Sequence, residues 1–242
     1  MNIIDVHNHI GLSLDGGHGT LKELLEIMQE YRIGTSVLFA TDEEGWEPTY
    51  TQLNDKIINA MESHPGKIIA FARIVPSHGK EAIDEFKRCL ERGVKGLKLK
   101  GNDGFHPKEA EEIFGLIKGR PHFPVLMHTD HELAANHPKT WETYIQKYPT
   151  IDFIMAHGGK SAYKICAEIL KKYPNAYCDT STLSFNRTRW IYEHAGAGKM
   201  LFASDYPYSH VGIELPKYRL IVKDKQDLED ILVHNAKKVL GL

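Results

Sequence analysis

Four histidines and one aspartate have the residue types and positions of metal ligands. Because side chains alternate along a strand, the D-x-H-x-H pattern at the start of the chain predicts that Asp5, His7 and His9 share one face. Val6 and Asn8 are then expected on the other face, and the two imidazoles can bind one ion. The remaining candidates, far apart in the sequence, are His128, His157 and Asp205. Imidazole nitrogens combined with a carboxylate suit Zn²⁺, with Mn²⁺ as the second possibility.

The segments around these residues alternate between short apolar stretches and amphipathic stretches. Eight apolar stretches have the length of strands, namely residues 3–6, 36–40, 67–75, 96–100, 125–128, 153–156, 176–180 and 200–204. Several intervening segments carry apolar residues at the three- and four-residue spacing of helices. In the first of these, Thr20 and Glu23 form the capping-box pattern of a helix start. The last predicted helix carries Leu228, Ile231, Leu232 and Val239.

Strands that alternate with helices indicate parallel βαβ units. Eight such strands in 242 residues predict an α/β protein with a (β/α)₈ TIM-barrel fold, formed as a single domain by residues 1–242. The alternative, an open doubly wound sheet, favours a G-x-G-x-x-G turn after the first strand. The glycine-rich segment 16–19 lacks that spacing and lies well past the strand.

The candidate ligands coincide with the ends of predicted strands. His7 and His9 end the first strand, His128 the fifth, His157 the sixth and Asp205 the eighth. In a barrel, the carboxyl ends of all strands meet on the face where catalysis takes place. The sequence therefore predicts that these residues converge on one catalytic metal site. A closed structural zinc site normally includes cysteines, and Cys89, Cys166 and Cys178 lie outside these motifs.

The composition argues against several classes of partner. The formal net charge is −2, which provides no electrostatic attraction to nucleic acid or to anionic membranes. No apolar stretch approaches the roughly 20 residues that a membrane span requires. The three cysteines show no C-x-x-C spacing, which fits a reduced cytoplasm. We therefore expect a cytoplasmic protein that acts on a small molecule; the sequence does not indicate its oligomeric state.

The ordered set of motifs resembles the amidohydrolase superfamily. The matching segments are D-x-H-x-H at 5–9, the histidine of the fifth strand, A-H-G-G at 156–159, S-D-Y-P at 204–207 and N-A-K-K-V-L at 235–240. The branch called amidohydrolase family 2, which contains hydrolases, lactonases, decarboxylases and hydratases, is the most similar. The resemblance spans the chain in order and implies a metal-dependent barrel enzyme without identifying its reaction.

The resemblance also implies roles for individual residues. His7, His9 and His128 would bind the metal, and Asp205 would be both a ligand and a proton acceptor. His157 would be a ligand of a second ion or, with one ion, a polarising acid/base group. One ion is favoured and two are possible.

Lys98 has two interpretations. In two-metal relatives a lysine of the fourth strand is carboxylated and bridges the ions. Because an unpaired buried charge is unfavourable, we favour an ion pair of Lys98 with Asp5 or Asp205, or a substrate contact.

The main functional prediction is hydrolysis of a small molecule with an amide, ester or lactone bond, through a metal-activated water. The alternative is non-oxidative decarboxylation or hydration of a small carboxylic acid on the same site. Arg73, together with Arg187 or Arg189, could then bind the acid group. Phosphodiester cleavage has less support, because the chain is not basic and carries lysines where such enzymes place a glutamate. The segment Thr41–Thr49, with Trp46, has two interpretations, a lid over the pocket or, more commonly for such a segment, a solvated loop with one packed aromatic side chain.

Overall fold

The computed structural model describes residues 2–13, 16–41 and 50–242. These residues form a mostly parallel sheet of nine strands in the order β2-β1-β3-β4-β5-β6-β7-β8-β9. The strands are β1 (Ile3–Leu12), β2 (His18–Gly19), β3 (Ile33–Ala40), β4 (Ile68–Arg73), β5 (Gly96–Leu99), β6 (Val125–Met127), β7 (Phe153–Met155), β8 (Ala176–Asp179) and β9 (Met200–Leu201). All eight predicted strands are present. Only β2 was not predicted, and it pairs antiparallel with β1.

Helices follow the parallel strands, as the alternation predicted. They are α1 (Leu21–Tyr31), α2 (Thr51–Ser63), α3 (Lys80–Glu91), α4 (Pro107–Gly115), α5 (Pro138–Lys147), α6 (Tyr163–Lys172), α7 (Phe185–Ala195), α8 (Val211–Ile221), α9 (Lys225–Glu229) and α10 (Asn235–Leu240). The capping box at Thr20 and Glu23 is formed as predicted. The predicted last helix is divided into α9, a π-helical turn at Asp230–His234, and α10. No described helix is long and apolar enough to cross a membrane.

The two faces of the sheet carry separate apolar cores. On the concave face, Val37 and Phe39 of β3 pack with Ile69 and Phe71 of β4, and with the C-terminal helix through Val239. The residues between them along the strands belong to the larger core, which includes side chains of α1 to α8. This alternation is the period of two expected for strands with both faces buried.

The first strand departs from regular alternation where the metal ligands begin. Its register against β3 shifts between Asp5 and Asn8, so one extra residue is accommodated there. As a result Val6 packs in the concave core, and His7 also reaches Phe39, with ring centroids 5.1 Å apart. The predicted division of this segment into two strictly alternating faces is therefore wrong at Val6.

Backbone hydrogen bonds also join β1 to the segment that directly follows β9. Val6 N donates to Phe202 O at 3.0 Å, Asp205 N to His7 O at 2.9 Å, and His9 N to Tyr206 O at 2.7 Å. Main-chain hydrogen bonds therefore hold the segment that carries His7 and His9 beside the segment that carries Asp205.

Candidate metal centre

The carboxyl ends of the parallel strands surround a cavity of about 330 Å³. That volume is at the small end of the range for pockets that bind small molecules. Its lining includes the predicted residues His7, His9, Lys98, His128, His157 and Asp205. Residues separated by as many as 198 positions in the sequence (205 − 7) are therefore brought to one place, as the strand-end positions predicted.

Three ligand atoms at the base of this cavity form a compact triangle. His7 Nε2 lies 3.2 Å from His9 Nε2 and 3.1 Å from Asp205 Oδ1, and His9 Nε2 lies 3.4 Å from the same oxygen. Metal–ligand bonds of about 2.0–2.2 Å in tetrahedral or octahedral geometry place neighbouring ligand atoms roughly 3.0–3.5 Å apart. The triangle therefore has the dimensions of one face of a metal site.

The hydrogen bonds of both imidazoles leave lone pairs pointing into this triangle. His7 Nδ1 lies 3.0 Å from Asp179 Oδ2, and His9 Nδ1 lies 3.4 Å from Ala40 O. Both partners are acceptors, so each Nδ1 carries the proton and each Nε2 carries a lone pair. Asp205 Oδ1 is buried and has no hydrogen-bond partner among the described residues. Three acceptors that face one another need a cation, so the donor set fits a divalent metal.

Burial supports the neutral state of the His7 imidazole and acts in the opposite direction on the Asp205 carboxylate. It lowers the pKa of His7 well below the ordinary value for histidine, so its imidazole is neutral at pH 7. Burial, together with the nearby Asp179, raises the pKa of Asp205 in the metal-free protein. A bound cation would favour the ionised carboxylate instead, so metal binding would release a proton from Asp205 when it is protonated.

Asp179 is a site residue that the sequence analysis missed. Its Oδ2 atom accepts from His7, and its Oδ1 atom accepts from Ser181 Oγ at 2.6 Å and from the backbone N–H of Ser181 and His157. A carboxylate fixed in this way orients the imidazole that it contacts. Asp179 ends the predicted seventh strand just as Asp205 follows the eighth, and that position was the signal available.

His157 lies beside Asp205 rather than in the triangle. Its Nδ1 atom is 3.1 Å from Ser181 Oγ and 3.9 Å from Asp205 Oδ2. Burial lowers the pKa of this imidazole well below its ordinary value. With His7 and Asp179 it forms a second group of close potential ligand atoms.

His128 lines the cavity directly after β6 but stands outside both groups of close ligand atoms. Its ring packs edge-on against that of His157, with centroids 5.0 Å apart, and its Nε2 atom lies 3.2 Å from Asp130 Oδ2. Asp130 is itself fixed by the backbone N–H groups of Glu132 and Leu133. Burial lowers the pKa of His128 to about 4, so this imidazole is also neutral at pH 7.

Lys98 and Arg73 both line the cavity, with different environments. No carboxylate of the described residues lies within 4.0 Å of Lys98 Nζ, which sits 4.9 Å from the centre of the Phe39 ring. The expected ion pair with Asp5 or Asp205 is therefore not formed; burial and a cation–π contact replace it. Arg73 is paired with Asp103 at 2.5 Å.

Other predicted contacts lie elsewhere. Arg187 stacks over Tyr163 and Arg189 pairs with Glu193, and neither belongs to the cavity lining. Both lie on α7, beyond the strand ends that form the cavity. Of the segment interpreted as a lid or a solvated loop, residues 42–49 lie outside the described part of the chain, whereas Thr41 is buried.

Solved structures share this fold at low sequence identity. A 2,6-dihydroxybenzoate decarboxylase from Rhizobium is 14% identical, with a TM-score of 0.75 over 99% of this chain and 98% of its own. A dihydroxybenzoic acid decarboxylase from a Polaromonas species, solved with manganese and the inhibitor 2-nitroresorcinol, is 15% identical, with a TM-score of 0.72 over 100% and 98%. A protein from Pseudomonas putida assigned as a 2-pyrone-4,6-dicarboxylic acid hydrolase is 16% identical, with a TM-score of 0.71 over 99% and 97%.

The family comparison covers nearly the whole chain. The family model described as Amidohydrolase matches residues 4–242, a range that contains every motif on which the resemblance was based. The match confirms the predicted family and an enzyme of the amidohydrolase type. With its histidine and aspartate cluster at the strand ends, the chain belongs to the amidohydrolase family.

Proposed function

We propose that this protein is a metal-dependent hydrolase that cleaves an amide, ester or lactone bond of a small molecule. The observation that carries the proposal is the triangle of His7 Nε2, His9 Nε2 and Asp205 Oδ1, in which three lone pairs face one another at 3.1–3.4 Å. Zn²⁺ is the ion that this donor set favours. Mn²⁺ is the second choice, and the Polaromonas neighbour holds manganese.

We propose one ion, with His128 completing the protein ligands. The Nδ1 atom of His7 is occupied by Asp179, so this imidazole offers a single nitrogen to metal. His128 is neutral, lines the same cavity and has one ring nitrogen without a hydrogen bond to any described residue. Lys98, which makes no ion pair with a described carboxylate, is then a substrate contact rather than a carboxylated bridge.

A divalent ion supplies two things when bound: a lowered pKa for water and polarisation of a substrate carbonyl. Asp205 accepts the proton of the attacking water and returns it to the leaving group. Its Oδ2 atom, which faces His157 at 3.9 Å, is the oxygen available for this transfer. His157 and Lys98 lie where they can stabilise negative charge as it develops on the substrate oxygen.

Decarboxylation or hydration of a carboxylic acid is the second candidate. Four basic side chains, those of Arg73, Lys98, Lys100 and Lys160, line the same cavity as the proposed metal site, which favours an acidic substrate. Burial lowers the pKa of Lys98 to about 7, so this amine is only partly charged at pH 7. Two of the structural neighbours named above are decarboxylases of dihydroxybenzoates. These basic side chains would bind an acidic substrate equally in decarboxylation, where the acid group is lost, and in hydrolysis, where it is kept. The reaction must therefore be measured.

We further propose that the described sheet closes into a (β/α)₈ barrel, formed by residues 1–242 as one domain. The hydrogen bonds between β1 and residues 202–206 support this closure. Cys89, Cys166 and Cys178 are free and buried, which agrees with a cytoplasmic location.

Assays on metal-loaded protein test the reaction. A pH-indicator assay over small lactones and esters, together with an amine- and ammonia-release assay over amides, reports hydrolysis. A coupled CO₂ assay over hydroxylated and unsaturated carboxylic acids reports decarboxylation. Asp205→Asn should lower kcat about 10²- to 10⁴-fold, because the proton acceptor is lost. Asp227→Asn, a change of the same type at α9, should leave it unchanged. CO₂ release without hydrolysis would favour the second candidate, and full activity of Asp205→Asn would contradict both.

A further inference from the structure

Positive backbone φ angles concentrate around the cavity. Among the described residues, six that are not glycine have a positive φ, and four of these line the cavity, namely His157, Lys160, Thr182 and Asp205. Such conformations are unfavourable for residues with a Cβ atom and tend to persist at functional sites. His157 and Asp205 already have roles in the proposed mechanism. Lys160 has none, so its conformation requires another explanation.

Lys160 adopts a conformation that glycine normally occupies. Its φ and ψ are 49° and −115°, and it follows three residues, His157 to Gly159, that also have positive φ. The combination matches the first central position of a type II′ turn, where glycine is strongly preferred. Backbone geometry alone would favour glycine here, as at the two preceding positions. The presence of lysine here is therefore explained by its side chain and not by the backbone conformation.

The Lys160 side chain brings a positive charge to the cavity, and none of the residues that the structure describes is its ion-pair partner. It is half-buried, and no carboxylate of the described residues lies within 4.0 Å of its ammonium group. Burial is the main cause of the shifted pKa values of His128 and Asp205, and the Lys160 charge lowers both. The ammonium group is thus close enough to the proposed metal site to act on the same ligand.

The other cations of the cavity differ from Lys160 in their surroundings. Arg73 is neutralised by Asp103, and Lys98 is buried against Phe39 in the cavity wall. Lys100 also lines the cavity. Burial is the main cause of the lowered pKa of His128, and the charge of Lys100 lowers it further. Asp205 is the one carboxylate among the described lining residues, so basic side chains outnumber acidic ones there even without Arg73. A divalent ion would increase this positive excess further.

We propose that Lys160, together with Lys100, binds a second anionic group of the substrate, separate from the group held at the metal. The substrate is then a compact molecule with two acidic groups, such as a dicarboxylate on a single ring. The cavity volume of about 330 Å³ suits a molecule of that size. This inference rests on the proposed function for the position of the first group, whereas the role of Lys160 is tested by binding alone.

The test compares isophthalate, which has two carboxylates, with benzoate, which has one, by isothermal titration calorimetry on metal-loaded protein. Wild type should bind isophthalate at least about tenfold more tightly, as expected for one additional charge-assisted hydrogen bond. Lys160→Met should remove this preference and leave benzoate binding unchanged, whereas Lys160→Arg should retain most of it. Lys171→Met removes one exposed charge from α6 away from the cavity and should behave as wild type.

Lys160→Gly separates a binding role from a structural one. Because glycine tolerates positive φ, this variant should raise the melting temperature while it loses the preference for isophthalate. A preference that survives in Lys160→Met, or a lower melting temperature in Lys160→Gly, would overturn the proposal. Metal content, measured on the same samples, distinguishes the two claims. Metal-free wild type would contradict the proposed function, and full metal content with equal isophthalate affinity in Lys160→Met would contradict the Lys160 site alone.

Discussion

The two ring nitrogens of His7 have different partners, and this difference defines the site. Asp179 accepts the proton on Nδ1 at 3.0 Å, which leaves the lone pair of Nε2 directed at Asp205 and His9. Without the carboxylate, the neutral imidazole could carry its proton on either nitrogen. Asp179 therefore acts through His7 as a positioning residue.

Asp179→Asn should weaken metal binding about 10- to 100-fold, because the amide no longer holds His7 in one tautomer. A competition titration against a zinc-binding dye measures the affinity. Asp152→Asn removes a partly buried carboxyl before β7 and serves as the control, with unchanged affinity. Equal metal affinity in Asp179→Asn and wild type would contradict the positioning role.

For individual residues, the sequence predicted which side chains lie in the site but not all of their contacts. His7, His9, His157 and Asp205 lie together because each ends or follows a strand, which periodicity alone can reveal. The ion pair expected for Lys98 is absent, because whether a buried amine finds a carboxylate depends on distances across the cavity. The backbone angles of Lys160 likewise depend on the turn around it and have no signature in residue type.

Among the elements, helix α1 is tied to the segment that carries Asp205. Tyr206 donates a hydrogen bond from its hydroxyl to Glu23 Oε2 at 2.9 Å, and the N–H of Thr20 donates to the same hydroxyl at 3.3 Å. Since Thr20 and Glu23 also form the capping box of α1, the start of this helix and the metal-binding segment support each other.

Tyr206→Phe should lower the free energy of unfolding by about 1 kcal/mol, because it removes the hydroxyl and with it the hydrogen bond to the Glu23 carboxylate. Urea denaturation followed by circular dichroism measures the change. Tyr148→Phe is a matched control, since the Tyr148 hydroxyl is buried without a hydrogen-bond partner among the described residues. That variant should be neutral or slightly more stable. A larger loss of stability in Tyr148→Phe than in Tyr206→Phe would contradict this account.

Helices were predictable from the sequence where their apolar residues fall on a single buried face, and were missed where they do not. Helices α7 and α8 were missed. In α8, Pro216 lies inside the helix, and Ile213 and Leu220 are exposed, so the apolar residues do not fall on one face. In α7, Thr188 and Ile191 are the buried residues, which is too few to show a helical period. Strand β9 is shorter than predicted, because the chain turns towards His7 after Phe202.

For the whole molecule, the strand order explains why residues from both ends of the sequence form one site. Strands β3 to β9 follow one another across the sheet, and the segment after β9 returns to β1 through main-chain hydrogen bonds. The alternation of strands and helices was sufficient to predict this arrangement, since parallel strands place all their carboxyl ends on one side. The fold does not determine the reaction, which depends on the groups of the site and on the substrate that they bind, and the sequence left the reaction open for that reason.

The central claim is that the His7, His9 and Asp205 triangle binds a divalent ion. The most direct measurement is metal content per chain by inductively coupled plasma mass spectrometry, on untagged protein purified without chelator. We predict about one equivalent of zinc or manganese in wild type. We predict its loss in His7→Ala, and no change in His234→Ala, which alters an exposed histidine outside the site. Wild type that contains no metal, even after incubation with Zn²⁺ or Mn²⁺, would contradict the claim.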